Sequence, residues 1–409
     1  MQKLRDGLTE TVLYGNELTW HPCTAMAENA EDRERVLQSL NFQSFRRLLF
    51  GLLKLGNLCN AIKSKSFIDA DSDYECIMYG DFPLAINFSL IFEPGILFLK
   101  DVIGRRVEGK MDYEKRALQK LEDYVKEMDY HAGCLRKVLF ETEQRPRKDL
   151  TEGEVAVTLT EHLLGKLAPG DSYVDDGKTR GKGQCLCGCN ESPKYRSTGI
   201  GHEDVWHGFI DILFSSHTRI PESIATVTET LSPSTSPLDS ETKDEDSPDE
   251  ETISEDAKGS EDQAIAQTIV FSLLKRQNYP SCQHHLIPNI VITPTEFRVN
   301  MYDAMNDILL SSLSLKLFDP KFESLQIESV IILWMVLHYR IFCAGIKVNE
   351  LKEEFKKIDI QANFRKIAES KWDIYSKSLK ENLSHFPEEK KKNPISYDTY
   401  WRAKELTYG

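Results

Sequence analysis

Asp211 stands inside an apolar run, Val205-Trp-His-Gly-Phe-Ile-Asp-Ile-Leu-Phe214. The composition predicts a strand over 205–214. A carboxylate in such a strand is costly unless it is paired, hydrogen-bonded or bound to a metal. Glu229 ends the next apolar run, a predicted strand over 224–229, and Glu161 lies upstream on a predicted helix over 155–167. Downstream, Gln267 and Phe271 fall one turn apart on a predicted helix over 263–275. Carboxylates are hard oxygen ligands of the kind Mg2+ and Mn2+ take. Asp256-Ala-Lys258 also sets an acid beside a Lys, but its neighbours are acidic and polar, a poor central strand. Each residue also has a plainer reading. Asp211 suits a buried structural carboxylate, Glu161 a solvated helix position, Gln267 an exposed helical amide, and Phe271 and Trp206 core.

Cys185, Cys187 and Cys189 offer a different chemistry, with His202 and His207 a little further along. Thiolates and imidazoles are zinc ligands. The spacing lacks the common C-x2–4-C pairs, and on a strand alternate residues merely share a face. Cys282 with His284 and His285 is a weaker version of the same pattern and reads as a polar loop.

The elements that must position these residues follow from periodicity. An apolar stripe of Val36, Leu40, Leu48, Leu52 and Leu55 predicts a helix over 31–59, stopped by Gly56. Glu93-Pro94-Gly95 between the aromatic-rich runs 85–92 and 96–102 predicts a strand pair. Asp112 can cap a long helix reaching Phe140. Strands are predicted over 289–293 and 297–302 around a Pro-Thr-Glu turn, and over 308–318. From Leu325 the pattern is helical nearly to the end, with the apolar run 330–337 too short for a membrane span and suited to a buried helix. The order predicts an α/β (α+β) fold: a central mixed β-sheet flanked by helices, with helix-rich N- and C-terminal regions. The expected divisions are 1–149, 150–320 and 321–409.

Charge is unevenly spread over the 409 residues. Of the net −14, the Ser/Pro-rich tract 232–262 carries −10 and the other 378 residues −4. The tract has too little apolar content to offset the entropy of ordering, so it reads as a disordered acidic insertion. Several of its Ser and Thr precede acidic residues, where phosphorylation would add charge. With that tract set aside, overall acidity does not argue against a local nucleic-acid surface. Basic clusters stand at Arg105-Arg106, Arg145-Pro-Arg147-Lys148, Lys178-Thr-Arg180-Gly-Lys182 and 390–392. The opening MQKLRDGLTE lacks an apolar leader core, and nine cysteines, an odd number, suggest reduced thiols. The expectation is an intracellular, cytoplasmic or nuclear protein with no membrane span.

Gly208-Phe209-Ile210-Asp211, followed by an acidic strand and by Gln267 with Phe271, resembles the exonuclease branch of the PD-(D/E)XK nuclease superfamily. That family shows a helix bearing a Glu, a strand reading Gly-x-hydrophobic-Asp, a strand reading (Asp/Glu)-x-Lys and a helix reading Gln-x-x-x-Tyr. The resemblance covers residues 150–320. It implies Asp211 and Glu229, or Asp256, as ligands of Mg2+ or Mn2+, Glu161 as a helper, and Gln267 as an orienting residue. The implied reaction is hydrolysis of DNA phosphodiester bonds. Leu231 stands where the strand motif has its Lys if Glu229 is the acid, whereas Lys258 fills that place if Asp256 is. The alternative is therefore a catalytically inactive nuclease fold serving as a nucleic-acid- or protein-binding module. A helical interaction scaffold of other ancestry is the third reading.

Overall fold

The apolar runs of the chain converge on one mixed sheet of eleven strands. This computed structural model describes residues 42–381 apart from 143–144, 177–184, 192–194, 216–220, 229–230, 232–254, 281–285, 347–357 and the single positions 105, 107, 171 and 190. In chain order the elements needed below begin with β1 (Leu49–Leu55) and three helices, α1 (Glu93–Ile103), α2 (Asp112–Lys126) and α3 (Met128–Leu139). Next come α4 (Glu152–Leu159), extended by a π turn at Thr160–Leu164, and β2 (Ser172–Asp176). The central part holds β3 (Gly199–Gly201), β4 (Trp206–Phe209), β5 (Ile212–Ser215), β6 (Pro221–Val227) and α5 (Glu255–Asn278). The last are β7 (Leu286–Ile292), β8 (Glu296–Asp303), β9 (Ile308–Ser312), α6 (Ile327–Leu337), α7 (Trp372–Lys377) and β10 (Lys380–Glu381).

The main sheet runs β2-β5-β6-β7-β8-β9-β1, with short strands completing its edges. The β2–β5 and β5–β6 pairs are antiparallel, and β6–β7 is parallel. A parallel pair needs a crossover, and α5 supplies it. β7 and β8 pair over their whole length, from Leu286↔Asp303 to Ile292↔Phe297, and every β7 residue is buried. That burial on both faces explains the near-continuous apolar reading of 286–292. A second sheet orders β10-β3-β4 and Lys65–Ser66. The fold is α/β, as the alternation of elements predicted, and α6 has Ser329 through Leu337 buried, as expected of the run 330–337. No helix among the described residues is long and apolar enough to cross a membrane.

Several boundaries differ from the sequence expectation, each for a packing reason. The Leu49-Phe-Gly-Leu-Leu-Lys-Leu stretch is a strand, not the end of a helix, because it pairs with β9 on one side and with Tyr74–Cys76 and Ala85–Asn87 on the other. Pairing on both edges outweighs helix propensity. The only described helix in the predicted 31–59 span is Phe42–Arg47, and 31–41 lie outside the described residues. Glu93-Pro-Gly is no hairpin turn. Pro94 opens α1, where its missing N–H costs nothing. A Cβ on Gly95 would sit 2.9 Å from Phe342 Cβ, so the glycine permits a close helix contact. The predicted 112–140 helix breaks at Glu127 (φ −108°, ψ 9°) into α2 and α3.

The 205–214 strand is split at Ile210 and Asp211, β4 joining one sheet and β5 the other. At the switch, Thr198 Oγ1 donates to Ile210 O at 2.5 Å. The acidic insertion is shorter than 232–262, because α5 starts at Glu255 and buries Glu261 and Asp262. Both have partners: Arg298 and Tyr74 bond Glu261, and Ser72 bonds Asp262 through its N–H and hydroxyl. Near the C-terminus the expected long helix gives way to Phe364–Ile367, α7 and β10, the last pairing with β3.

Candidate functional site

Asp211 precedes β5 at the sheet switch and is half-buried. Its Oδ2 accepts from Val227 N on β6 at 2.9 Å. Gln267, fully buried on α5, reaches the same two segments. Its Nε2 donates to Phe209 O at 2.9 Å, and its Oε1 accepts from Thr226 Oγ1 at 2.5 Å. Asn289 Nδ2 on β7 donates to Thr226 Oγ1 at 3.0 Å and to Ala264 O at 3.1 Å. The amide of Gln267 is thus buried, not the exposed helical amide of its plainer reading. It is one member of a buried polar network that fastens α5 to the sheet.

The other expected ligands have different placements. Glu161 is buried on the π turn after α4, not solvated. Glu229 lies outside the described residues. Asp256 and Lys258 occupy the first turn of α5, so Asp-Ala-Lys is helical rather than the strand motif, and Lys258 is exposed. Cys282, His284 and His285 also lie outside the described residues.

The group that the fold does assemble is His162 with Cys185, Cys187 and Cys189. Among the described residues it is the one set of three or more His, Cys, Asp or Glu whose ligand atoms all lie close enough to share an ion, within 4.8 Å of one another. His162 Nε2 is 3.0 Å from Cys187 Sγ, 3.4 Å from Cys185 Sγ and 3.8 Å from Cys189 Sγ. Cys185 and Cys187 sulfurs are 3.4 Å apart, and all three thiols are free. A tetrahedral Zn2+ with ordinary bond lengths sets S···N at about 3.6 Å, which the three observed S···N distances bracket, and S···S at about 3.8 Å, a little longer than the Cys185–Cys187 separation.

Local structure explains how Cys-x-Cys-x-Cys converges. On an extended strand the first and last sulfurs would lie on one face but roughly 13 Å apart. Instead 185–189 turns back on itself: Gly188 N donates to Cys185 O at 3.3 Å, and Cys185 N to Glu191 O at 3.2 Å. Gly188 takes φ +88°, which a side chain would resist. Cys189 N donates to Cys187 Sγ at 3.2 Å. His162 comes from the other side. Thr151 caps α4, with Glu154 Oε2 accepting from Thr151 N at 2.9 Å. The helix then widens into the π turn, a feature often found at functional sites. There His162 is 2% exposed.

The surroundings hold the imidazole. Tyr124 OH donates to His162 O at 3.0 Å, and Lys137 Nζ to Cys187 O at 2.8 Å. His162 Nδ1 faces His131 Nδ1 at 3.2 Å. Burial pushes both histidines down to about 4, so both rings are neutral, the form in which imidazole ligates. Burial also raises the Cys185 and Cys189 thiols.

The histidines expected beside the cysteines are elsewhere. His202 Nδ1 accepts from Asp204 N at 3.2 Å, and His207 Nδ1 lies 2.9 Å from Val205 O at the start of β4. The helix histidine was missed because nothing in its spacing ties it to a loop 23 residues on. Its one signal is an imidazole among the buried leucines of Glu161-His-Leu-Leu164. No family model, no curated protein and no solved structure matches this chain.

Proposed function

We propose that this protein is a zinc-binding protein in which His162, Cys185, Cys187 and Cys189 hold one Zn2+ as a structural centre. The observation that carries the reading is the convergence of one imidazole nitrogen and three sulfurs within 4.8 Å. Three thiolates and an imidazole are a soft donor set, suited to Zn2+ and poorly suited to Mg2+ or Mn2+. Four protein ligands leave no position for water or substrate, which is the pattern of structural rather than catalytic zinc. The ion would clamp the 185–189 turn to the end of α4. Three thiolates against a divalent ion leave a net −1, and the amine of Lys137, bonded to Cys187 O, stands by to offset it. The test is metal analysis of protein purified without chelator. About one zinc per chain, lost in Cys187→Ser, is expected. Protein that carries no zinc and does not take up Zn2+ or Co2+ after thiol reduction would overturn the assignment.

A second reading is favoured by the order of elements around Asp211. Leaving aside β3 and β4 of the second sheet, the chain runs α4, β2, β5, β6, α5, β7, with a helix bearing Glu161 ahead of the strands and Gln267 on the helix after them. This supports a nuclease-like PD-(D/E)XK scaffold that binds nucleic acid and, with Mg2+ or Mn2+ at Asp211 and Glu229, hydrolyses DNA. Leu231 in place of the motif's Lys favours the inactive form of that scaffold. Mn2+-dependent cleavage of linear DNA that disappears in a folded Asp211→Asn variant would support hydrolysis. Equal cleavage by the variant would exclude Asp211 as a ligand.

A further inference from the structure

Resting on the zinc reading, we infer that His131, bonded to His162 through Nδ1, and Glu127, beside the far nitrogen of His131, are positioning residues for the metal, an arm that fixes His162 as an Nε2 ligand. His162 directs Nε2 at the sulfurs and Nδ1 at His131 Nδ1, 3.2 Å away. Two neutral imidazoles facing through Nδ1 share a single proton, so one must donate and the other accept. If His131 donates, His162 carries its own proton on Nε2 and has no lone pair for a metal. If His162 donates, Nε2 is bare and His131 carries its proton on Nε2.

The far end of the arm selects between these. His131 Nε2 lies 3.6 Å from Glu127 Oε2, one helical turn back. A carboxylate only accepts, so it favours a proton on His131 Nε2 and therefore the ligating form of His162. The sequence supplies the spacing: Glu127 and His131 are four residues apart around the start of α3. Packing holds the His131 ring in plane. Tyr124 stacks on it with centroids 5.2 Å apart and planes 2° from parallel, and Tyr130 meets it edge-on at 5.3 Å. A carboxylate, an imidazole and a metal-bound imidazole in series extend the common pattern in which a ligand histidine is oriented through its other nitrogen.

The experiment is a competitive zinc titration of the full chain against a chromophoric chelator, with Co2+ spectra recorded alongside. His131→Phe keeps an aromatic ring against Tyr124 and removes the acceptor. It should weaken zinc by about ten- to a hundredfold and shift the Co2+ ligand-field bands. His131→Gln restores an acceptor and should recover part of the affinity. Glu127→Gln, at an exposed position that folding tolerates, should weaken zinc a few-fold. Wild-type affinity and spectrum in Glu127→Gln, or in a folded His131→Phe, would overturn the arm while leaving the zinc centre standing. A wild-type chain that binds no zinc would instead remove the reading beneath it. If His131→Phe does not fold, Glu127→Gln decides alone.

Discussion

The cysteine turn at 185–189 and the carboxylate at Asp211 both take costly groups out of open solvent, and they meet the cost differently. Asp211 is satisfied by a backbone donor, Val227 N, in a region where Gln267, Thr226 and Asn289 already saturate one another. The cysteines face each other and an imidazole, groups whose mutual hydrogen bonds are weak and whose shared lone pairs suit a soft ion. A buried polar group is thus better evidence of a ligand site when its neighbours cannot satisfy it than when they can.

That contrast can be tested. The largest effect is expected at the metal: chelator, or His162→Ala, should remove the zinc and lower the melting temperature by roughly 5 °C, since a ligand at a thousandfold over its Kd adds about 4 kcal/mol. Calorimetry with and without chelator checks it, and equal melting would erase the difference between the two regions. Next comes Gln267→Ala, which leaves Phe209 O and Thr226 Oγ1 short of a partner. A loss of about 2–3 kcal/mol in urea unfolding is expected, with zinc content unchanged.

A smaller loss, about 1–3 kcal/mol, is expected for Asp211→Ala, which strips Val227 N of its acceptor, whereas Asp211→Asn keeps one and should cost less than about 1 kcal/mol. A large loss in Asp211→Asn would mean that the charge itself matters, as a metal ligand's would.

The smallest effect at neutral pH should come from His338. Its Nε2 lies 3.0 Å from Leu167 O, at the end of the segment that carries His162, and burial pushes its pKa down to about 3. The unfolded chain takes up a proton near pH 6.5 that the folded chain refuses until about 3. Stability is therefore full above 6.5 and falls as pH drops through that window. His338→Gln, which can still donate to Leu167 O, should flatten the acid limb of the stability profile by up to about 1.4 kcal/mol per pH unit. An unchanged limb would show that His338 does not contribute to it.

Legibility followed how local the determining interactions are. The hairpin of β7 and β8 was readable because two short strand-like runs, 289–293 and 297–302, bracket a polar Pro-Thr-Glu turn. The helix α6 was readable from its apolar run alone. β1 was not, because leucines at helical spacing also fill a central strand once β9 and Tyr74–Cys76 flank it. The end of the acidic tract was misplaced for the same kind of reason. Glu261 and Asp262 look solvated until Arg298, Tyr74 and Ser72, from distant strands and loops, are set against them. Lys258 looked like a strand lysine only while Asp256 and its neighbours had no helix to belong to.

From the sequence alone came the α/β class, the buried character of 330–337, the oddity of a carboxylate at Asp211 and the presence of three closely spaced cysteines. Tertiary structure chose the fourth member of that cysteine group, His162 over His202 and His207, and assigned Asp211 a backbone partner. The physical reason is that a ligand set or a buried hydrogen bond is defined by distances of 3–4 Å between atoms. Spacing along the chain fixes such distances within one turn or helix, but across 23 residues only the packing of α4 against the 185–189 turn can.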